Sequence, residues 1–104
     1  MKWYAVAEIN ISDPSWIAAY VEHTTKLVEE HGGRYLARTP NIEKIEGDRP
    51  PGQIYLIIEW PSKRAAEAFY DSDAYRPYLE SRRSGSTGEF VLVAGEDVNG
   101  VAHM

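Results

Sequence analysis

An extended segment that is apolar on both of its faces limits this chain more than any other feature. Over residues 53–60, Ile54, Leu56, Ile58 and Trp60 alternate onto one face, while Tyr55 and Ile57 occupy the other. Near the C-terminus, Phe90, Leu92 and Ala94 are opposed in the same way by Val91 and Val93. A sheet with one wet face alternates apolar and polar residues, so strands of this kind need cover on both sides. A chain of 104 residues makes one domain, and its helices can shelter one side only. The other side is expected to close on the same surface of a second copy, about a two-fold axis. Burying about 600 Å² of apolar surface per subunit would contribute on the order of 15 kcal/mol before association costs are subtracted.

The remaining pattern places that strand in a definite order. Residues 2–11 carry Trp3, Tyr4, Val6, Ile9 and Ile11, good residues for a pleat. Asp13-Pro14 reads as an N-cap followed by proline in the first helical turn. From there Trp16, Ile17, Tyr20, Val21, Thr24, Leu27 and Val28 recur at helical spacing on one face, and Gly32-Gly33 ends the helix. A second strand is predicted from residue 34 to 37, interrupted near Pro40 and resumed over 42–46. Residues 47–52 form a turn by composition. After the strand at 53–60, Pro61-Ser62 caps a short helix over 63–70, Asp71-Ser72-Asp73 breaks and recaps, and 74–83 is helical again with Pro77 in its first turn. A turn at 84–88 leads into a last strand at 89–94. This is the ferredoxin-like β-α-β-β-α-β order: a four-stranded antiparallel sheet with helices on one face, an α+β domain over residues 1–95 and a loose tail over 96–104 that includes Asn99-Gly100.

Composition removes several classes of function. There is no cysteine, hence no disulfide framework, thiol nucleophile or thiolate metal site. Eleven basic residues are scattered among sixteen acidic ones, for a net charge of −5, so nucleic acid and anionic membranes are not expected partners. The β-α-β-β-α-β module that binds RNA carries a basic-glycine-aromatic signature on its third strand, which Gly52-Gln53-Ile54-Tyr55-Leu56-Ile57 lacks. Apolar runs near 54–58 and 90–94 are too short to span a bilayer, and no signal peptide is read at the start; the cytoplasm is the expected compartment.

The candidate site residues follow from where charge meets the apolar pattern. His23 and His31 are eight residues apart on one helix, about 12 Å along its axis, and cannot chelate one ion; with His103 they define no metal site. His31 is expected to pack at the helix end, where the backbone dipole favours it, and His23 to sit at the edge of the apolar face or to act as a general base. Arg82 shares a helical arc with Tyr75, Tyr78 and Leu79, an unusual place for a guanidinium unless it meets an acid, an aromatic plane or a ligand anion. Glu8, the one acid within the first strand, is expected to pair with Arg82 or Arg38, or to serve as a poised base. Tyr20, Trp60, Tyr70 and Tyr75, with Trp3 and Tyr35, either fill the core or line a pocket. No G-x-S-x-G elbow is present, and Gly85-Ser86-Thr87-Gly88, without a lysine, reads as a turn.

The run Glu8…Asp13-Pro14…Tyr20, His31-Gly32-Gly33-Arg34-Tyr35-Leu36-Ala37-Arg38, Glu46-Gly47-Asp48, Glu59-Trp60-Pro61-Ser62, Ala66, Asp71-Ser72-Asp73-Ala74-Tyr75…Arg82 and Val91-Leu92-Val93-Ala94-Gly95 resembles the bacterial family termed domain of unknown function 1330. The resemblance covers the chain to about Gly95. Trp60 stands where the family commonly has phenylalanine and Tyr70 where it has tryptophan, so both positions remain aromatic. The resemblance implies a dimeric α+β barrel, two ferredoxin-like subunits facing sheet to sheet. Its wider superfamily includes cofactor-free monooxygenases, isomerases, haem enzymes and ligand sensors.

Three functions are therefore weighed. The first is an enzyme without a tightly held cofactor or metal, monooxygenase- or isomerase-like, acting on a small anionic or conjugated carbonyl compound. There Glu8 or His23 moves a proton, Arg82 holds the anion, and Tyr20, Arg38, Trp60, Tyr70 and Tyr75 contact the ligand. The second is a non-catalytic, stress-associated module that binds a small ligand in the same pocket. The third is a dimerisation unit with a filled core, distinguished by its lack of a cavity.

Overall fold

Asp13, Pro14 and the paired glycines shape the first half of the computed structural model, which describes residues 1–98. The loose tail's Asn99-Gly100 and His103 lie outside the described residues. Strand β1 (Trp3–Ile11) leads to a 3-10 turn (Pro14–Trp16), where the Asp13 carboxylate accepts a hydrogen bond from the Ser15 amide at 3.0 Å. Helix α1 (Ile17–Glu30) follows, with Tyr20, Thr24 and Val28 buried one turn apart; Val21, expected on the apolar face, is exposed. The helix ends in a Schellman motif. The Gly32 amide bonds the Glu29 carbonyl at 3.0 Å and the Gly33 amide the Val28 carbonyl at 2.9 Å, while Gly32 has φ +88°.

Strand β2 (Arg34–Thr39) is short. The predicted resumption over 42–46 is not a strand, because Thr39 already pairs with Tyr55 near the start of β3 (Ile54–Trp60) and no strand remains for later residues to pair with. Helix α2 (Lys63–Tyr70) starts at Ser62, whose Oγ accepts from the Ala65 amide at 3.1 Å. Ser72 recaps the chain by accepting from the Tyr75 amide at 3.2 Å, ahead of α3 (Arg76–Ser84). Strand β4 (Ser86–Ala94) begins three residues earlier than composition suggests, since Ser86, Thr87 and Gly88 pair with Ile11, Asn10 and Ile9 of β1.

The four strands form one antiparallel sheet in the order β2-β3-β1-β4. Ala5, Ala7 and Ile9 of β1 and Leu56, Ile58 and Trp60 of β3 are buried beneath the helices, and Phe90 and Leu92 of β4 continue that layer. The opposite face carries Tyr4, Val6 and Glu8 of β1, Tyr55 and Ile57 of β3, and Val91 and Val93 of β4, the last two about half exposed. A bulge at Leu36 shifts the register of β2, so Arg38 pairs opposite Leu56 and reaches α1, where its Nη1 donates to Thr25 Oγ1 at 2.8 Å. Among the described residues no helix is long and apolar enough to cross a membrane, and no cluster of three His, Asp or Glu side chains is placed to hold a metal ion.

Candidate functional site

A cleft opens between α2, α3 and β4, the edge strand, on the helix-covered side of the sheet. Small side chains create it: Ala5 on β1 and Ala66 on α2 leave a recess of about 330 Å³ walled by Trp60, Phe69, Tyr70, Phe90 and Leu92, with Glu67 and Asp71 at its rim. A second, more polar recess of about 450 Å³ adjoins it along the start of β4, bordered by Arg82, Arg83, Ser86, Thr87 and Glu89. Tyr70 and Phe90 belong to both recesses, with ring centroids 5.7 Å apart.

Arg82 borders the polar recess, next to Phe90, which both recesses share. It is only 8% exposed, yet it takes no part in the ion pairs seen among the described residues, Lys2–Glu59, Arg34–Glu59 and Arg76–Asp73. Its Nε–H donates to Tyr20 Oη at 3.2 Å, and the Tyr20 and Tyr75 hydroxyls share a hydrogen bond of 2.5 Å. The guanidinium carbon lies 5.9 Å from the Tyr20 ring centroid and 5.5 Å from that of Phe90. Burial pushes both phenols well above the ordinary tyrosine range, so at neutral pH they are protonated hydrogen-bonding groups and not bases. Burial also works against the charge of Arg82, but the phenol oxygens of Tyr20 and Tyr75 outweigh it and the group remains a cation. Ser86 Oγ donates to the Arg82 carbonyl at 2.5 Å and fixes the junction of α3 with β4.

The structure thus brings Arg82, Tyr20 and Tyr75 together and puts Trp60 and Tyr70 in the adjoining wall. Glu8, His23 and Arg38 lie elsewhere. Glu8 is on the far face of the sheet, between Tyr55 and Glu89 of the neighbouring strands, and accepts a hydrogen bond from Tyr55 Oη at 3.0 Å. The expected Glu8–Arg82 and Glu8–Arg38 pairs do not form: Glu8 is on the open face of the sheet, whereas Arg82 belongs to α3 on the covered face and the β2 bulge turns Arg38 toward α1. His23 stacks on Tyr78 at 5.1 Å on the α1–α3 surface, and Arg38 covers the Tyr35 ring at 3.9 Å beside β2, the opposite edge of the sheet from the cleft. His31 packs as expected, its Nδ1 donating to the Leu27 carbonyl at 2.8 Å and its ring meeting Phe69 edge-on. Phe69, Phe90, Leu92 and Arg83 were not among the sequence candidates. The inward parity of Phe90 and Leu92 and the Arg82-Arg83 doublet just ahead of a strand were the available signals.

Residues 2–96 match the model of a family described as domain of unknown function (DUF1330). None of the curated proteins matches the chain. Among solved structures, RPA0582, a protein of unknown function from Rhodopseudomonas palustris, is 15% identical with a TM-score of 0.75 over 92% of this chain and 83% of its own. SnoaB, a cofactor-independent oxygenase from Streptomyces nogalater, is 15% identical with a TM-score of 0.66 over 92% and 94%. An antibiotic biosynthesis monooxygenase is 19% identical with a TM-score of 0.53 over 93% and 100%. At these identities the likeness is one of fold, that of the ferredoxin-like, dimeric α+β barrel proteins.

Proposed function

The chain belongs to the DUF1330 family, and on that premise we propose that it is a cytoplasmic, homodimeric small-molecule enzyme of the cofactor-independent kind, acting on a conjugated carbonyl compound held in the cleft beneath α2 and α3. The observation that carries this reading is Arg82: a buried cation with no ion pair among the described residues, bordering a polar recess and lying 5.5 Å from Phe90, a wall of the adjoining apolar recess. Removing a proton next to a conjugated carbonyl leaves an enolate, and a fixed guanidinium largely withdrawn from water stabilises that charge better than water does. Such a carbanion can be reprotonated elsewhere, giving isomerisation, or react directly with molecular oxygen. Tyr20 and Tyr75 hold the guanidinium in place. Glu67 and Asp71, the acids bordering the apolar recess, replace Glu8 and His23 as the proton acceptors of the proposal. The fold shared with SnoaB, itself a cofactor-independent oxygenase, supports the same class by analogy.

A screen of conjugated carbonyl compounds by thermal shift, followed by oxygen consumption and product analysis without added cofactor, tests it. Binders should raise the melting temperature of the wild type and not of a folded Arg82→Ala variant; binders indifferent to that change would remove Arg82 from the site. The non-catalytic reading rests on the distance of Glu8 and His23 from the cleft. Binding without turnover would select it.

A further inference from the structure

We propose that the ligand is an aryl monocarboxylate lying across both recesses, its flat ring among Trp60, Phe69, Tyr70 and Leu92 and its carboxylate on Arg82. This rests on reading the cleft as the ligand site and specifies what that site selects. The recesses meet at Tyr70 and Phe90, whose ring centroids are 5.7 Å apart, so a molecule that occupies both passes over or parts these two side chains. The first recess is lined by aromatic and aliphatic side chains and is large enough for one or two fused rings. Arg82 gives its Nε–H to Tyr20 and also meets the Tyr75 hydroxyl, and a guanidinium has five N–H donors in a planar fork, so donors remain for a carboxylate. Phe90, 5.5 Å from the guanidinium, carries the apolar floor directly up to the cation.

The sign and size of the charge select among anions. Arg82 and Arg83 border the polar recess with one acid, Glu89, while Glu67 and Asp71 border the apolar one, so an anion is favoured only at the Arg82 end of the cleft. A monocarboxylate places a single charge at that end. A phosphate dianion would bring a second charge into a cleft that already carries three acids. Ser86 and Thr87, the part of the lysine-less Gly85-Ser86-Thr87-Gly88 stretch that borders this recess, add hydroxyls, and Ser86 already spends its donor on the Arg82 carbonyl.

Isothermal titration of the full chain with four probes tests the assignment: 2-naphthoate, its neutral isostere 2-naphthamide, 2-naphthyl phosphate, and acetate as the head group alone. Naphthoate should bind at least about tenfold tighter than the amide, a difference of about 1.4 kcal/mol. That preference should vanish in Arg82→Gln. In Arg83→Gln, a change at an exposed position that keeps the core intact, it should fall about threefold. Equal binding of acid and amide overturns the carboxylate assignment and leaves the cleft a binding site. Tighter binding of the phosphate overturns the charge match, and acetate binding as well as naphthoate reveals an anion site with no role for the apolar recess. If none of the four binds while the carbonyl screen yields a binder that depends on Arg82, this inference fails and the broader function stands; if neither set binds, both fail.

Discussion

Thr24, on the inner face of α1, is 2% exposed, and its hydroxyl oxygen has no hydrogen-bond partner among the described residues. Desolvating a hydroxyl without replacing its bonds to water is unfavourable, so Thr24→Val, which keeps the shape, should stabilise the protein by about 1–2 kcal/mol in urea unfolding. Tyrosine ionisation gives a second expectation at this scale. Tyr20, Tyr35 and Tyr75 all have pKa values raised chiefly by burial. A pKa higher in the folded than in the unfolded chain contributes stability that is complete below the unfolded value, about 10, and is lost as pH rises through the folded one. The protein should therefore lose stability progressively above about pH 10. These three phenols should stay silent in a phenolate absorbance titration until the chain unfolds; early ionisation of all three would contradict their burial. Arg82 stood out in the sequence because a guanidinium lies on an aromatic arc. Its pairing with Tyr20, itself a candidate, was not legible: the two are 62 residues apart, and only the packing of α1 against α3 brings them together.

Helix starts and stops were legible because they depend on neighbours in sequence. Ser62→Ala removes the acceptor for the Ala65 amide and should cost about 1 kcal/mol of stability, with Ser62→Asp restoring most of it. Gly33 is a harsher case. A Cβ there would stand 2.7 Å from Val28 Cγ1 and 2.8 Å from the Trp60 ring, both fully buried side chains, so Gly33→Ala should destabilise by about 1–3 kcal/mol in thermal or denaturant melts. Pairing, by contrast, is decided by partners remote in the chain. The apolar residues at 42 and 45 looked like a continued strand, yet β3 has no free register left to receive them. Ser86, Thr87 and Gly88 looked like a turn, yet β1 extends far enough to pair with all three. The Leu36 bulge is of the same kind: nothing local announces that Arg38 will change faces, and with it goes any meeting with Glu8.

At the level of the molecule, the two-sided apolar sheet that limited the fold in the sequence is present, with helices on one side and Val6, Ile57, Val91 and Val93 on the other. The proposed dimer closes over that second side. Val91→Asp, at a half-exposed position paired with Val6, should convert a dimer into monomers in sedimentation velocity while barely altering the fold of the single chain; a wild type that sediments as a monomer at micromolar concentration would remove the dimer from the proposal. The cleft faces a different way. Its mouth lies along β4, at the unpaired border of the sheet and on the helix side. In the proposed dimer a guest would therefore come and go laterally without the subunits parting, its residence time fixed by one polypeptide and unchanged on dilution.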